Sequence, residues 1–470
     1  MTPAPIDIFL IAIGGTGMAP LACLLKGLGH RVRGCDAPLY PPMSELLAAA
    51  GIEPLVGYDP AFLDPPPDLV VVGNAVPRDN PVTAAAVERD LDQISMPQAL
   101  ARFFLGERRP LVAAGTHGKT TTSSLAAWVY TACGADPGYL IGGVPLDLGK
   151  SFNAGSGDRF VLEGDEYNAA WFDRGPKFLH YRPETAILTS VEYDHADLYD
   201  RPEDLLAAYR RLVEIVPPEG RLIACGDSPE VRRVAAAAGC PVTFYGLDSV
   251  NEVTPAALAP REGGSLLTLD DPESGTVEIH LPLAGRHNAA NTLAVWTAAR
   301  RDGLSAVAVA AALECFRGVR RRQEEVGTAG GVTVVDDFAH HPTAVRETLA
   351  ALAQRYPGRR LIVVFEPRSL TAGRSLFHDA YREAFSHADR VLLAPLYHHG
   401  RLAPEERLDL AALTAELTAT GTPATVGGDP ERLLEQLDAE TRSGDVVVTM
   451  SSGEFGRLPR RLFDRLERDR

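Results

Sequence analysis

The residues that could do chemistry gather in a few short segments. The first is "AAGTHGKTTTSS", residues 113–124, just after the extended apolar run 110–114. Between Gly115 and Gly118 stand only Thr116 and His117, a shorter interval than in the common G-x-x-x-x-G-K-[ST] phosphate loop. The Gly-Lys-Thr end is unchanged, and so are the roles it permits. Consecutive N–H groups from Gly115 to Thr120 can wrap an anion, Lys119 can reach the outer phosphates, and the Thr120 hydroxyl can ligate magnesium. The segment predicts a nucleoside triphosphate site. Only four of the 46 basic residues are lysine (Lys26, Lys119, Lys150, Lys177), so a chain that writes positive charge as arginine has kept a lysine here.

Two acidic segments follow predicted strands downstream. "VLEGDEYN" carries Glu163, Asp165 and Glu166; "SVEYDHADLYD" carries Asp194, His195 and Asp197. Each alone reads as solvated loop charge, but carboxylates at adjacent strand ends beside a phosphate loop are natural metal ligands. A second glycine loop, "AIGGTGMAP", places Gly14, Gly15 and Gly17 between a strand and a helix, with Asp36 about twenty positions on, at the next strand end. A structural turn would look the same. If the loop does bind, the ligand is a nucleotide diphosphate, with a nicotinamide dinucleotide still open. "HNAAN" reads as polar residues at a helix start, and the His340–His341 pair of "HHPT" is too short a run for a metal site.

The elements that must hold these residues alternate strand and helix. Residues 6–13 form a buried strand, 14–29 a loop entering a helix, and 30–36 a second strand; a helix over 43–51 and a buried strand over 68–76 follow. This is a doubly wound parallel pattern. A second α/β run starts at Pro110, with strands in "RFVLEGDE", "TAILTSVEYDH" and "RLIACGD". Between about Val250 and Leu283 the pattern becomes antiparallel, and "HNAANTLAVWTAARRDGL" is an amphipathic helix. A third α/β run begins near Gly327, with strands in "GVTVVDDF", "RLIVVFEP", "RVLLAPLY" and "DVVVTMSS". Boundaries near 108 and 325 give three α/β domains, residues 1–108, 109–325 and 326–470.

Composition limits the partners. The 45% hydrophobic and 23% charged fractions are those of a globular protein. No stretch has the length of a membrane span, and the N-terminus lacks a basic region and a cleavage site, so a cytoplasmic protein is expected. The formal net charge of −16 argues against general affinity for nucleic acid or anionic membranes. Anionic ligands must be held by local groups. The six cysteines are scattered, as reduced thiols would be.

Taken in order, "GTHGKTTT", "DEYNAAWFD", "EYDHADLYD", "GRHNAANTLA", "GVRRRQE" and "VDDFAHHPTAV" resemble the Mur ligases, and the resemblance runs from Ile6 to "VVTMSSGEFG". These enzymes use ATP to join amino acids or peptides to a UDP-linked muramic acid. The resemblance implies a Rossmann-like UDP-binding domain, a central P-loop ATPase-type domain with a parallel sheet, and a Rossmann-like C-terminal domain for the incoming amine. "YPPM", "GNAVPRDNP", "IGGVP", "FDRGPKFLHYRP" and "VFEPRS" are similar to the subgroup that returns a cell-wall tripeptide to UDP-N-acetylmuramate. The alanine-adding members share the phosphate loop and "HHPT" and are the alternative. By resemblance, Gly115, Thr116, His117, Gly118, Lys119, Thr120 and Thr121 bind ATP, and Thr120, Glu166 and His195 surround Mg2+, with Lys119, Glu166 and His195 catalytic. His287, Asn288 and Asn291 approach adenine, Arg321 or Arg322 the phosphates, and Asp337 the ribose. Gly14, Gly15, Thr16, Gly17, Met18, Asp36 and Asn74 hold the UDP substrate, which rules the dinucleotide out of the first loop; Arg368 and Arg374 hold the peptide. The segment after "DHADLYD" offers only Arg201, Arg210 and Arg211, so no carbamylated lysine is expected among the metal ligands. A monomer or weak homo-oligomer is expected.

Overall fold

The computed structural model describes residues 4–196 and 198–468; Asp197, named above as a candidate ligand, lies outside the described residues. The chain separates into two compact units, Met1–Val191 with Leu205–Val253 and Ala294–Val309, and Glu192–Asp204 with Thr254–Leu293 and Ala310–Arg470.

The first unit contains two parallel sheets. In one, the strands run Leu55–Val56, Arg31–Asp36, Asp7–Ile11, Leu69–Val72, Gln93–Ser95, all parallel. "FLI" and "LVVV" form its centre because strands covered by helices on both faces must be apolar throughout, and residues 8–11 and 70–72 are fully buried. The chain leaves Asp7–Ile11 to build first one side of the sheet and then the other. The glycine loop therefore sits at the switch point where such sheets bind ligands.

The other sheet has the order Val242–Tyr245, Arg221–Cys225, Thr185–Leu188, Arg109–Ala114, Arg159–Gly164, Gly138–Leu140, Phe152–Asn153, parallel except for its last strand. Its central strand Arg109–Ala114 feeds the phosphate loop and the helix Lys119–Ala132. Tyr130, near the far end of that helix, donates to the Asp302 carboxylate, which also pairs with the fully buried Arg159. The loop's helix is thus anchored by charge at one end and left to hold ligand at the other.

The second unit contains an antiparallel sheet (Ala257–Arg261, Gly264–Asp271, Gly275–Leu281) and a six-stranded sheet. The latter runs Glu324–Ala329, Val332–Asp337, Val446–Met450, Leu361–Phe365, Arg390–Leu393, Ala424–Val426, with only the first strand antiparallel. The expected strands are present, and several stop short of the segments that predict them. "DLVVVGNAV" is extended only to Val72, and "TAILTSVEYDH" only to Leu188. A hairpin, Asn168–Ala170 with Asp173–Pro176, was not expected. All six cysteines are free; Cys35, Cys225 and Cys240 are buried and Cys315 is exposed.

Candidate active site

The phosphate loop is shaped by what lies under it. Gly115 has φ +133°, and a Cβ there would lie 2.3 Å from Thr189 Oγ1 and 2.8 Å from the Ser190 amide nitrogen, so only glycine fits. The Thr116 amide donates to the Ser190 carbonyl at 2.9 Å and the His117 amide to Ser190 Oγ at 2.9 Å. The strand Thr185–Leu188 stops where it does because residues 189 and 190 turn to support this loop. Gly118, with φ +81°, caps the helix that begins at Lys119.

Lys119 Nζ curls back to the carbonyls of Gly115 (2.6 Å) and Thr116 (3.2 Å) and meets both Glu166 oxygens at 3.1 and 3.0 Å. The Glu166 side chain is 1% exposed. Burial disfavours the ammonium, yet Glu166, Glu163 and Asp165 outweigh it and raise the lysine's pKa. Thr120 Oγ1 donates to Glu163 at 2.9 Å, and Glu163 also accepts from the Gly142 amide at 2.8 Å. Asp165 is held by the Tyr167 amide and by Lys177 Nζ at 2.8 Å. A cation, a hydroxyl and carboxylate oxygens of this kind fit a phosphate with a hard divalent ion. Thr121 is half-buried on the first turn of the helix. Lys177, which is buried, escaped the sequence reading as part of this cluster because twelve residues separate it from Asp165.

At the glycine loop a cavity of about 480 Å³ is lined by Ala12, Gly14, Gly15, Asp36, Leu39, Tyr58, residues 75–77 and Asn80. Asp36 is more than a lining group. It accepts from the Gly14 amide (2.8 Å), the Ala37 amide (2.7 Å) and the Tyr58 hydroxyl (2.9 Å), so its carboxylate clamps the loop. Burial and this hydrogen bond push the Tyr58 phenol up to about 12. Thr16 is exposed and Gly17 half-buried; Met18 is buried, the first residue of the helix Met18–Gly27. Asn74 is exposed beside the cavity and is not among its lining residues.

In the second unit, Asp194 is 3% exposed and lies 3.9 Å from His195 Nε2 and 4.0 Å from His340 Nε2. Burial pushes this carboxyl up, but His195, His340 and His341 overcome it and hold it well below the usual carboxylate range. His195 adopts φ +56°, uncommon for a residue with a Cβ. Of the "HHPT" pair, His340 thus faces Asp194, while His341 Nδ1 lies 3.6 Å from Glu192. The His340 carbonyl accepts from Tyr381, and His341 caps the helix Pro342–Arg355.

Asn288 donates to the Ala284 carbonyl at 2.8 Å; like Asn291 it is buried, and His287 Nε2 lies 3.2 Å from Gln323 Nε2. Arg321 is committed internally, donating to the Ser451 and Gly453 carbonyls and lying 3.4 Å from Asp336, whereas the Arg322 guanidinium stacks 4.6 Å from the Phe338 ring centre. Asp337 accepts from the Gln323 and Ala339 amides and is 4% exposed. Arg368 lies 3.9 Å over the Tyr397 ring and 3.5 Å from Glu366. Arg374 instead pairs with Glu406 at 3.3 Å.

Three family profiles match in series: "Mur ligase family, catalytic domain" over residues 7–108, "Mur ligase middle domain" over 113–299, and "Mur ligase, glutamate ligase domain" over 321–453. A relative in Escherichia coli, UDP-N-acetylmuramate--L-alanyl-gamma-D-glutamyl-meso-2,6-diaminoheptandioate ligase, is 40% identical and covers 98% of both chains. The chain belongs to the Mur ligase family. A second Mur ligase, UDP-N-acetylmuramate--L-alanine ligase of Rubrobacter xylanophilus, is 36% identical over 98% of this chain and 100% of its own. The crystal structure of a murein peptide ligase from Psychrobacter arcticus matches with a TM-score of 0.74 and 32% identity, covering 98% of this chain and 99% of that one. The α/β architecture with parallel sheets expected from the sequence is the Mur ligase architecture.

Proposed function

We propose that this chain is the ATP-dependent ligase that joins L-alanyl-γ-D-glutamyl-meso-diaminopimelate to UDP-N-acetylmuramate. The observation that carries the reading is the phosphate loop with Lys119 on Glu166 and Thr120 on Glu163, in a chain 40% identical along 98% of its length to a ligase named for that reaction. In this reading residues 1–108 bind the UDP substrate, 109–325 bind ATP, and 326–470 bind the peptide. ATP and UDP-sugars are cytoplasmic metabolites, so the enzyme acts there, as a monomer or weak homo-oligomer.

The lactyl carboxylate of UDP-N-acetylmuramate attacks the γ-phosphorus of ATP, ADP leaves, and an acyl phosphate forms. The tripeptide's amine then attacks the acyl carbon, and phosphate departs from a tetrahedral intermediate. Lys119 moves from Glu166 to the transferred phosphoryl group and neutralises charge there. Thr120 and Glu166 are proposed to hold Mg2+, which supplies further charge neutralisation when bound. His287, Asn288 and Asn291 are assigned to adenine and Asp337 to ribose. Arg321 or Arg322 is assigned to the phosphates. Arg368, held flat on Tyr397, is the proposed partner of a peptide carboxylate; a guanidinium fork suits such a group.

The alanine-adding reaction is the second reading, favoured by the Rubrobacter relative. Phosphate release from ATP, Mg2+ and UDP-N-acetylmuramate, with each amine offered separately, tests the two. Turnover with the tripeptide and little with L-alanine is expected. Efficient turnover with L-alanine and none with the tripeptide would overturn the assignment.

A further inference from the structure

The cavity at the glycine loop lacks something the proposed ligand needs. Its lining contains one carboxylate, Asp36, and no lysine, arginine or histidine. The nearest polar groups are already used: the Gly14 amide is held by Asp36, the Gly15 amide by the Ala12 carbonyl at 3.1 Å, and Asn80 caps the helix Pro81–Glu88 through the Val82 and Thr83 amides. The start of the helix Met18–Gly27 offers partial positive charge. A diphosphate beside a carboxylate, on a chain of net charge −16, calls for a full one.

Arg78 stands at the rim, next in the chain to the lining residue Pro77. It is exposed, and among the described residues no carboxylate pairs with it. Its guanidinium carbon lies 5.5 Å from the centre of the Trp171 ring. Trp171 sits at the tip of the hairpin Asn168–Ala170/Asp173–Pro176 and packs against the core cluster that includes Val72, Val76 and Val82. That hairpin continues from the strand end carrying Glu163 and Glu166. The indole Nε1–H is shielded from solvent and has no acceptor. A stacked cation without a carboxylate partner thus stands next to a cation-free cavity, and the indole beneath it keeps a shielded donor without an acceptor.

We propose that Arg78, oriented by Trp171, is the cationic partner of the diphosphate of the UDP substrate. The proposal rests on the reading that this cavity takes that substrate. Stacking fixes the plane of the guanidinium, so two N–H groups can face phosphate oxygens together. Trp171 acts through Arg78 as a positioning residue, and it makes the hairpin beside the phosphate-loop carboxylates part of the UDP site.

The test uses the full-length enzyme with calorimetric titration of UDP and of uridine, alongside steady-state kinetics. Arg78→Ala should weaken UDP at least tenfold while leaving uridine within twofold. It should raise KM for UDP-N-acetylmuramate by a similar factor, with kcat and the KM for ATP and tripeptide little changed. Arg78→Lys, which keeps charge but not the fork, should fall between, and Trp171→Ala should weaken UDP with the native arginine in place. Unchanged UDP affinity in Arg78→Ala, or an equal loss for UDP and uridine, overturns the inference while leaving the ligase assignment standing. A wild-type enzyme that neither binds UDP nor turns over UDP-N-acetylmuramate overturns both.

Discussion

Lys119 and Glu166 hold each other where the carboxylate, and most of the lysine side chain, is shielded from water, and this has a consequence for mutagenesis. Removing one partner of a buried pair leaves the other charge uncompensated, at a cost of about 3–5 kcal/mol. Lys119→Ala should therefore lower Tm as well as turnover. Lys119→Ala with Glu166→Gln should recover most of the lost Tm and none of the turnover, because the missing charge on the transferred phosphoryl group is worth about 3–4 kcal/mol in the transition state. Thermal denaturation beside a phosphate-release assay separates the two effects; equal Tm for the single and double variants would mean the pair carries no stability. Asp336 makes the opposite kind of prediction. Burial raises its carboxyl from 3.8 to about 6, with Arg321 opposing and Asp337 and Glu324 adding to the shift. A pKa raised on folding means the native state binds the proton more tightly than the unfolded chain does. The contribution of this group to stability is thus full below about pH 4 and is lost as pH rises through 6. Relative to wild type, Asp336→Asn should gain Tm between pH 4 and pH 7. A difference that is flat with pH would place the carboxyl near its ordinary value.

The phosphate loop depends on an element that contributes no ligand of its own, the turn at Thr189 and Ser190. Gly115→Ala forces a Cβ into that turn at a backbone angle that L-residues rarely adopt. The expected result is a lower Tm and at least a tenfold rise in KM for ATP, with KM for UDP-N-acetylmuramate much less affected; native ATP kinetics in that variant would show that the loop can reshape. The loop, the carboxylates after it and the strand–helix rhythm were legible in the sequence because they are local: apolar runs, glycines at helix starts, acids at strand ends. What the turn does was not, since "TSVEYDH" reads as more strand until residues 189 and 190 are seen bonding back to residues 114–117. The hairpin Asn168–Pro176 was missed for a different reason. "NAA" and "DRGP" lack the β-branched and aromatic alternation of a strand, and Trp171 at their turn packs, partly buried, against a core that is remote in sequence. Asp36 shows what motif reading leaves out. The resemblance places it at the UDP substrate, and its hydrogen bonds from Gly14 and Tyr58 also make it the clamp of the glycine loop.

At the scale of the whole molecule, the net charge of −16 opposes the arrival of both ATP and UDP-N-acetylmuramate, although the groups proposed to receive them are cationic. The two effects have different ranges. Repulsion by the whole surface acts over tens of ångströms, whereas Lys119 and its ligands meet at hydrogen-bonding distance with most of the side chain shielded from water. Salt separates them, because the Debye length falls from roughly 30 Å at 0.01 M to about 10 Å at 0.1 M ionic strength. Added salt over that range screens the long-range repulsion first and leaves the buried contacts largely intact. With free Mg2+ held constant, kcat/KM for UDP-N-acetylmuramate should therefore hold or rise between those two ionic strengths, and decline only at much higher salt. The Arg78→Ala variant, which lacks an exposed cation, should rise at least as much as wild type. A steep, continuous fall from the lowest salt onward would mean that exposed positive groups govern capture, and that the field around the binding cavities is positive despite the acidity of the chain.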